Sequence, residues 1–214
     1  MVKFIKNLYN YIYIIIDDKT NEGYLIDPAW NLNNINAALS GIKLKGILLT
    51  HHHFDHMNLA GKIALQHAIP VYISKIEIDF YRFTCTNLMP LENDTLLPLG
   101  SSVVKTILTP GHTKGSACYY FNGNLFTGDT LFIEGCGLCS AEGGDPYQMY
   151  ESIQKLKEII HPYTSIYPGH SYGLDVGVKM SFLIDQNIYC HFDDVTKFVN
   201  FRMRNTQTNL FNFK

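Results

Sequence analysis

Four of the nine histidines in this 214-residue chain crowd into one run, Thr50-His51-His52-His53-Phe54-Asp55-His56. Three later stretches each put a histidine or carboxylate beside a glycine: Thr109-Pro110-Gly111-His112-Thr113, Phe126-Thr127-Gly128-Asp129-Thr130 and Tyr167-Pro168-Gly169-His170. His51, His53, Asp55, His56, His112, Asp129 and His170 are therefore the candidate metal ligands. Imidazole and carboxylate together suit zinc or iron, whereas a hard oxygen-seeking cation would not select five histidines. Structural sites close with four ligands, usually rich in cysteine; catalytic ones leave a position open. Seven ligands divided between two metals leave such positions.

The spacing explains how one short motif could feed two metals. On an extended strand end, His51 and His53 point the same way. A sharp turn through Phe54 then brings Asp55 and His56 to the opposite side of the same hollow. His112 completes a three-histidine site with His51 and His53; Asp55, His56 and His170 form the second; Asp129, with two carboxylate oxygens, is the natural bridge. Gly111, Gly128 and Gly169 permit tight turns with close backbone approach. The chemistry expected is hydrolysis, because bound water acquires a pKa of about 7 and two metals can also polarise a carbonyl. Asp55 is the candidate catalytic residue, orienting the nucleophile or passing a proton to the leaving group. A thiolate would need little such help, its pKa being about 8.5.

Elements with strand and helix periodicity must position these residues. Residues 2–27 read as three short strands broken at 7–10 and 17–23, and Pro28 ends the third. Leu32, Ile35, Leu39 and Ile42 mark a helix over 31–40, stopped by Gly41. Residues 46–50 form an apolar strand of the kind buried on both faces, which delivers the histidine cluster. A helix over 57–68 and a strand over 71–74 follow, then an irregular aromatic stretch containing Phe80, Tyr81 and Phe83, read equally as core or lid. Strands are expected over 103–108, 117–121 and 124–127, with hairpin chemistry at Asn122-Gly123-Asn124. A glycine-rich loop over 135–144 leads to a helix over 146–160; a strand over 164–167, a helix near 176–186 and an aromatic, weakly basic tail complete the series. Strand runs flanked by helices suggest a layered sandwich with ligands at loop tips.

Composition narrows the classes. An apolar fraction of 46% supplies a substantial core, and a formal net charge of −2 argues against whole-surface attraction to nucleic acid or anionic membrane. Lys3 and Lys6 followed by Tyr11-Ile12-Tyr13-Ile14-Ile15-Ile16 superficially resemble a secretory signal. The apolar run is short, β-branched and ends at Asp17-Asp18, so it reads as a strand. No segment has the length of a bilayer span. Five cysteines without scaffold spacing suit the reducing cytoplasm. His67, His161 and His191 read as packing or surface residues. His52 should point away from its ligand neighbours, with a secondary reading as an outer-shell partner. Cys136-x-x-Cys139 reads as thiols lining a pocket, and Lys197, Arg202 and Arg204 as a solvated face.

The series His-x-His-x-Asp-His, Pro-Gly-His-Thr, Thr-Gly-Asp-Thr-Leu-Phe and Tyr-Pro-Gly-His resembles the metallo-β-lactamase-fold hydrolases over about residues 1–185. That resemblance implies an α/β fold, the αββα sandwich of two mixed β-sheets flanked by helices, in one domain over 1–214 with a short C-terminal extension at about 188–214. It also implies two Zn²⁺ per chain, with Fe or Mn as alternatives. Phe132-Ile133-Glu134-Gly135-Cys136-Gly137 and Gly143-Gly144-Asp145-Pro146 look like the glyoxalase-II-like branch. Ile26-Asp27-Pro28-Ala29-Trp30, Glu77-Ile78-Asp79-Phe80-Tyr81-Arg82-Phe83 and Phe198-Val199-Asn200-Phe201-Arg202 look like the zinc-dependent hydrolases of bacterial polyketide biosynthesis.

Members of that subgroup are taken to cleave acyl thioesters from acyl carrier protein, so the expected partner is a carrier protein bearing an acyl-phosphopantetheine thioester. Lys197, Arg202 and Arg204 would steer this acidic partner. Glyoxalase-like relatives often carry Arg and Asp after Gly-Cys-Gly, where this chain has Leu138 and Ser140, and the chain stops before a helical glutathione-holding domain; both lower the expectation of a glutathione thioester. Competing readings are a small-thioester or lactone hydrolase, and a persulfide dioxygenase with one iron held by His51, His112 and Asp129. The retained second-site ligands disfavour the latter. A non-catalytic binding module has no need of seven ligands with open positions.

Overall fold

Val2–Asn7 (β1), Asn10–Ile16 (β2) and Glu22–Ile26 (β3) pair antiparallel, and every residue of β2 is buried. Alternation along β2 explains how. Tyr11, Tyr13 and Ile15 face one core, with Tyr119, Phe121 and Phe126. Ile12, Ile14 and Ile16 face another, with Ile35, Leu39, Ile63 and Ala64. Such a strand needs a second sheet on one side and helices on the other. The computed structural model describes residues 1–7, 9–207, 211 and 213, so part of the expected C-terminal extension lies outside the described residues.

The first sheet continues in parallel through Lys43–Leu48 (β4), Val71–Ser74 (β5) and Leu88–Leu91 (β6), in the order β1-β2-β3-β4-β5-β6. Its outer face is covered by Leu32–Ala38 (α1) and, after the one-turn helix Phe54–Met57 (α2), by Ala60–His67 (α3). Lys75–Tyr81 (α4) follows β5 directly. The second sheet contains Leu96–Leu99 (β7), Ser102–Leu108 (β8), Ala117–Phe121 (β9), Asn124–Gly128 (β10), Ser165–Pro168 (β11) and Val178–Lys179 (β12). Its order is β12-β11-β10-β9-β8-β7, with β10 and β11 parallel and the rest antiparallel. Pro146–Ile159 (α5), Met180–Gln186 (α6) and Val195–Arg202 (α7) cover its outer face through Met149, Ile153, Leu156, Leu183 and Phe198. The architecture is the expected αββα sandwich of two mixed sheets.

Several local expectations change. The helix over 57–68 is two helices, and its first turn begins at Phe54 inside the ligand motif. The aromatic stretch is not irregular: Ser74 Oγ accepts the Ile76 N–H and caps α4, which ends at Arg82 in the left-handed region (φ +51°). Strands β6 and β7 were not expected because each contains a proline, Pro90 or Pro98. Both are edge strands, where a missing N–H is tolerated. The helix near 176–186 starts only at Met180, after β12. The tail contains a helix, α7, preceded by a 3₁₀ turn, Ile188–Cys190, and its Phe198 is buried in the second helical core. The hairpin at Asn122-Gly123 forms with both residues at positive φ (+44° and +75°), as a type I′ turn requires.

Candidate metal centre

Every candidate ligand lies just beyond a strand end, on the edge where both sheets terminate. Loop residues 49–53 follow β4, and His53 is extended (φ −61°, ψ 143°) at the start of α2, whose single turn carries Asp55 and His56. His112 lies between β8 and β9, Asp129 directly after β10, and His170 two residues after β11. Tyr119 Oη donates to Leu49 O (2.6 Å) and Tyr13 Oη to Pro168 O (2.5 Å), so buried tyrosines between the sheets anchor two of these loops. Gly169 answers a packing need: a Cβ there would lie 2.6 Å from both Asp129 Oδ1 and His56 Cε1.

The structure brings all seven residues together. The ligand atoms of His51, His53 and His112 lie within 4.8 Å of one another, as do those of His51, His56 and Asp129 and those of Asp55, His56 and His170. His112 Nε2 is 2.9 Å from His53 Nδ1, and His56 Nε2 is 3.3 Å from His170 Nε2. Asp129 sits between the groups, with Oδ2 3.5 Å from both His112 Nε2 and His170 Nε2 and Oδ1 3.3 Å from His56 Nε2.

Outer hydrogen bonds fix which nitrogen faces inward. His112 Nδ1 donates to Leu138 O (2.7 Å) and His170 Nδ1 to Tyr9 O (2.8 Å), since a carbonyl can only accept. His56 Nδ1 lies 3.0 Å from Asp27 Oδ2. Thr50 Oγ1 donates to the same Asp27 oxygen (2.6 Å) and accepts from His51 Nδ1 (3.0 Å). Four imidazoles thus turn Nε2 towards a common hollow. Among the described residues, His51 Nε2 and Asp129 Oδ1 are buried there without a hydrogen-bond partner. Inward lone pairs opposed at about hydrogen-bond distance, two of them orphaned, fit a bound cation.

Residues 6–170 match the family described as the Metallo-beta-lactamase superfamily. The chain belongs to this superfamily. It is 44% identical over 207 residues to BaeB of Bacillus velezensis, named a probable polyketide biosynthesis zinc-dependent hydrolase, across 96% of this chain and 92% of that one. It is 42% identical, with the same coverage, to PksB of Bacillus subtilis, which bears the same description. Among solved structures, ETHE1 from Myxococcus xanthus superposes with a TM-score of 0.85 at 23% identity, covering 98% of this chain and 92% of that one, which shows the shared fold.

Within this metallo-β-lactamase-fold centre, burial divides the titrating groups. It pushes His51 and His112 down, and with the neighbouring His112 and His52 it brings His53 to about 4. Burial opposes protonation of His170 too, but the Asp129 carboxylate and hydrogen bonds to Asp129 and Asp55 lift it to about 10; His56 is raised by Asp129 and Asp27 in the same way. Burial would raise Asp55, yet the His170 hydrogen bond and the His56 charge hold it well below the ordinary carboxylate range.

A cavity of about 440 Å³ opens over the centre, with His53, Asp55, His112, Asp129 and His170 at its base. Phe132, Tyr172, Tyr189 and Phe213 form aromatic wall, and Phe213 stacks on His170 with ring centroids 4.1 Å apart. The Asp55 side chain is 37% exposed, far more open than the neighbouring His56, His112, Asp129 and His170.

Other residues fall differently from expectation. Arg202 is not on a solvated face: it is 3% exposed, its Nε donates to Gly137 O (2.9 Å), and it lines the cavity with Arg204. Lys197 is exposed. Cys136 and Cys139 are buried free thiols, and Cys136 does line the pocket. His67, His161 and His191 are on the surface, as expected. His52 points away from the centre onto Glu77. Phe83 is core and Phe80 is exposed, and neither lines the cavity.

Sequence reasoning missed Asn10, Thr50, Glu77 and the role of Asp27. Asn10 Nδ2 donates to Asp55 Oδ2 (3.2 Å) and its Oδ1 accepts from Trp30 Nε1 (2.8 Å). The available signal was Asp27, a carboxylate within an otherwise apolar strand end, where burial demands a partner. Among the described residues no helix is long and apolar enough to cross a membrane.

Proposed function

We propose that the protein is a zinc-dependent hydrolase of polyketide biosynthesis that cleaves acyl thioesters from acyl carrier protein in the cytoplasm. The observation that carries this reading is the convergence of two ligand groups on Asp129 at the base of one cavity. Similarity to BaeB and PksB along 96% of the chain supports the pathway.

His51, His53 and His112 would hold one zinc ion and Asp55, His56 and His170 the other, with Asp129 between them. Zinc held there supplies hydroxide at neutral pH and a Lewis acid for the carbonyl oxygen. The rest falls to the protein's own residues. Asp55, ionised and partly open to the cavity, would orient the attacking nucleophile and pass its proton to the departing sulfur. Asn10 keeps that carboxylate in one orientation. The aromatic wall accepts the acyl chain and excludes bulk water. Of the three cations expected to steer an acidic carrier protein, Arg202 is buried in the cavity wall and Arg204 also lines the cavity, leaving Lys197 exposed for docking.

The test is release of the acyl group from acyl-loaded carrier protein, followed by mass spectrometry. Release that stops with a chelator and returns with zinc is the expected result. No metal-dependent release from any acyl carrier protein, with turnover of a small glutathione thioester instead, would overturn the carrier-protein reading.

A further inference from the structure

The ligand histidines are not all held alike. His51, His56, His112 and His170 each have an outer hydrogen bond on the second ring nitrogen. Among the described residues His53 has none; its Nδ1 faces His112, and its ring packs against those of His51, His52 and His112. Its position must therefore come from the backbone that carries it, and that backbone is held from behind by α4.

Glu77 on α4 is 0% exposed. Its Oε2 accepts the His52 N–H (3.0 Å) and lies 2.6 Å from His52 Nδ1. Its Oε1 accepts the Gly115 N–H (2.7 Å). One carboxylate thus joins the loop carrying His51 and His53 to the loop carrying His112. A buried carboxylate is costly unless its oxygens are fully engaged, so this one fixes the two loops relative to each other.

Tyr81, four residues on and hence on the same helix face, repeats the pattern. Its ring stacks on His52 (centroids 3.8 Å apart, 27° between planes). Its hydroxyl accepts the Lys114 N–H (3.0 Å) and donates to Glu142 O (2.8 Å). The loops are also pressed against α4: a Cβ on Gly115 would lie 2.7 Å from Glu77 N.

We infer that Glu77, seconded by Tyr81, is a positioning residue that sets the register between His53 and His112 and so tunes the three-histidine group alone. Its hydrogen bonds reach His52, Gly115 and no residue of the Asp55, His56 and His170 group. The inference rests on the metal-centre reading above.

The experiment is titration of chelator-stripped protein with Zn²⁺ against a chromophoric competitor, giving two stepwise affinities. Glu77→Gln keeps the shape but offers one acceptor oxygen where three N–H groups converge. It should weaken one of the two zinc affinities by about 10- to 100-fold, the range for outer-shell partners, and leave the other within about threefold. Tyr81→Phe keeps the stack and loses both hydroxyl bonds, so it should weaken the same step by about tenfold or less. This second variant also covers failure of Glu77→Gln to fold. His53→Gln identifies which step belongs to the three-histidine group. Parent-like affinities in the folded variants, or equal loss of both ions, overturn the inference. A parent protein that takes up no zinc overturns the metal-centre reading itself.

Discussion

The two halves of the centre share Asp129 but differ in electrical character. His51, His53 and His112 are three imidazoles whose burial favours the neutral form, and His53 falls to about 4. Asp55, His56 and His170 contain a carboxylate and lean on another, Asp27, so their histidines are pulled towards protonation, His170 to about 10. The first half is a set of lone pairs awaiting charge; the second already carries negative charge and recruits protons where no cation is present. Support differs in parallel. In the first half a threonine holds His51, a carbonyl holds His112 and His53 is left to loop register; in the second Asp27 holds His56, Asn10 holds Asp55 and the Tyr9 carbonyl holds His170. A centre of this kind, if it takes two like cations side by side, would hold each by different means.

Removing the residue the halves share should abolish the difference between them. Asp129→Ala is expected to lower thioester turnover by about 10²- to 10³-fold, the range for losing one electrostatic contact at a reacting centre. It should lower both zinc affinities together, by competitive titration. Loss of only one ion would mean that Asp129 belongs to one half rather than lying between them.

Proton linkage sharpens the contrast in metal-free protein. His53 has a depressed value, so its contribution is intact above about 6.5 and is lost as pH falls towards 4. His170 has a raised value, so its contribution is intact below about 6.5 and is lost as pH rises towards 10. Thermal unfolding of stripped protein across this range should show two declining limbs. His53→Gln should make the acid limb shallower and His170→Gln the alkaline one. Zinc should flatten both, because ligated nitrogens no longer titrate. Limbs that ignore these variants would remove the electrical distinction.

The seven candidate ligands were legible because each motif is local: a histidine cluster, or a histidine or carboxylate beside a glycine, announces itself within about seven residues. The neighbouring strands were legible as short apolar, β-branched runs, as in β2 and the second half of β4. What supports the ligands was not legible, because it is long-range. Glu77 meets partners 25 and 38 residues away, and Arg202 meets Gly137 at a separation of 65. By type, both residues belong on the surface, and partners brought from other segments of the chain offset the cost of burying them. Helix α4 was hidden for a related reason: seven residues are too few for a clear period, and its cap, Ser74, closes a strand. Prolines concealed β6 and β7 because edge position is a property of the sheet, not of the segment.

The finest division concerns the second half alone. Trp30 Nε1 donates to Asn10 Oδ1, which fixes the amide so that Nδ2 faces Asp55 Oδ2. Asn10→Ala removes the donor to Asp55 and should cut turnover by about tenfold, the lower end for an outer-shell partner. Trp30→Phe keeps most of the ring packing against Phe54 and deletes only the indole N–H. Losing one neutral hydrogen bond of about 0.5–1.5 kcal/mol, it should slow turnover by roughly 2- to 12-fold at most. Because the amide acts on Asp55 and not on substrate contacts, both variants should lower kcat with KM nearly unchanged and leave zinc affinity of the three-histidine half intact. The double variant should be no slower than Asn10→Ala, since the indole acts only through the amide. Additive losses would show that Trp30 reaches the centre by another route, and an equal effect on both zinc affinities would dissolve the distinction between the halves.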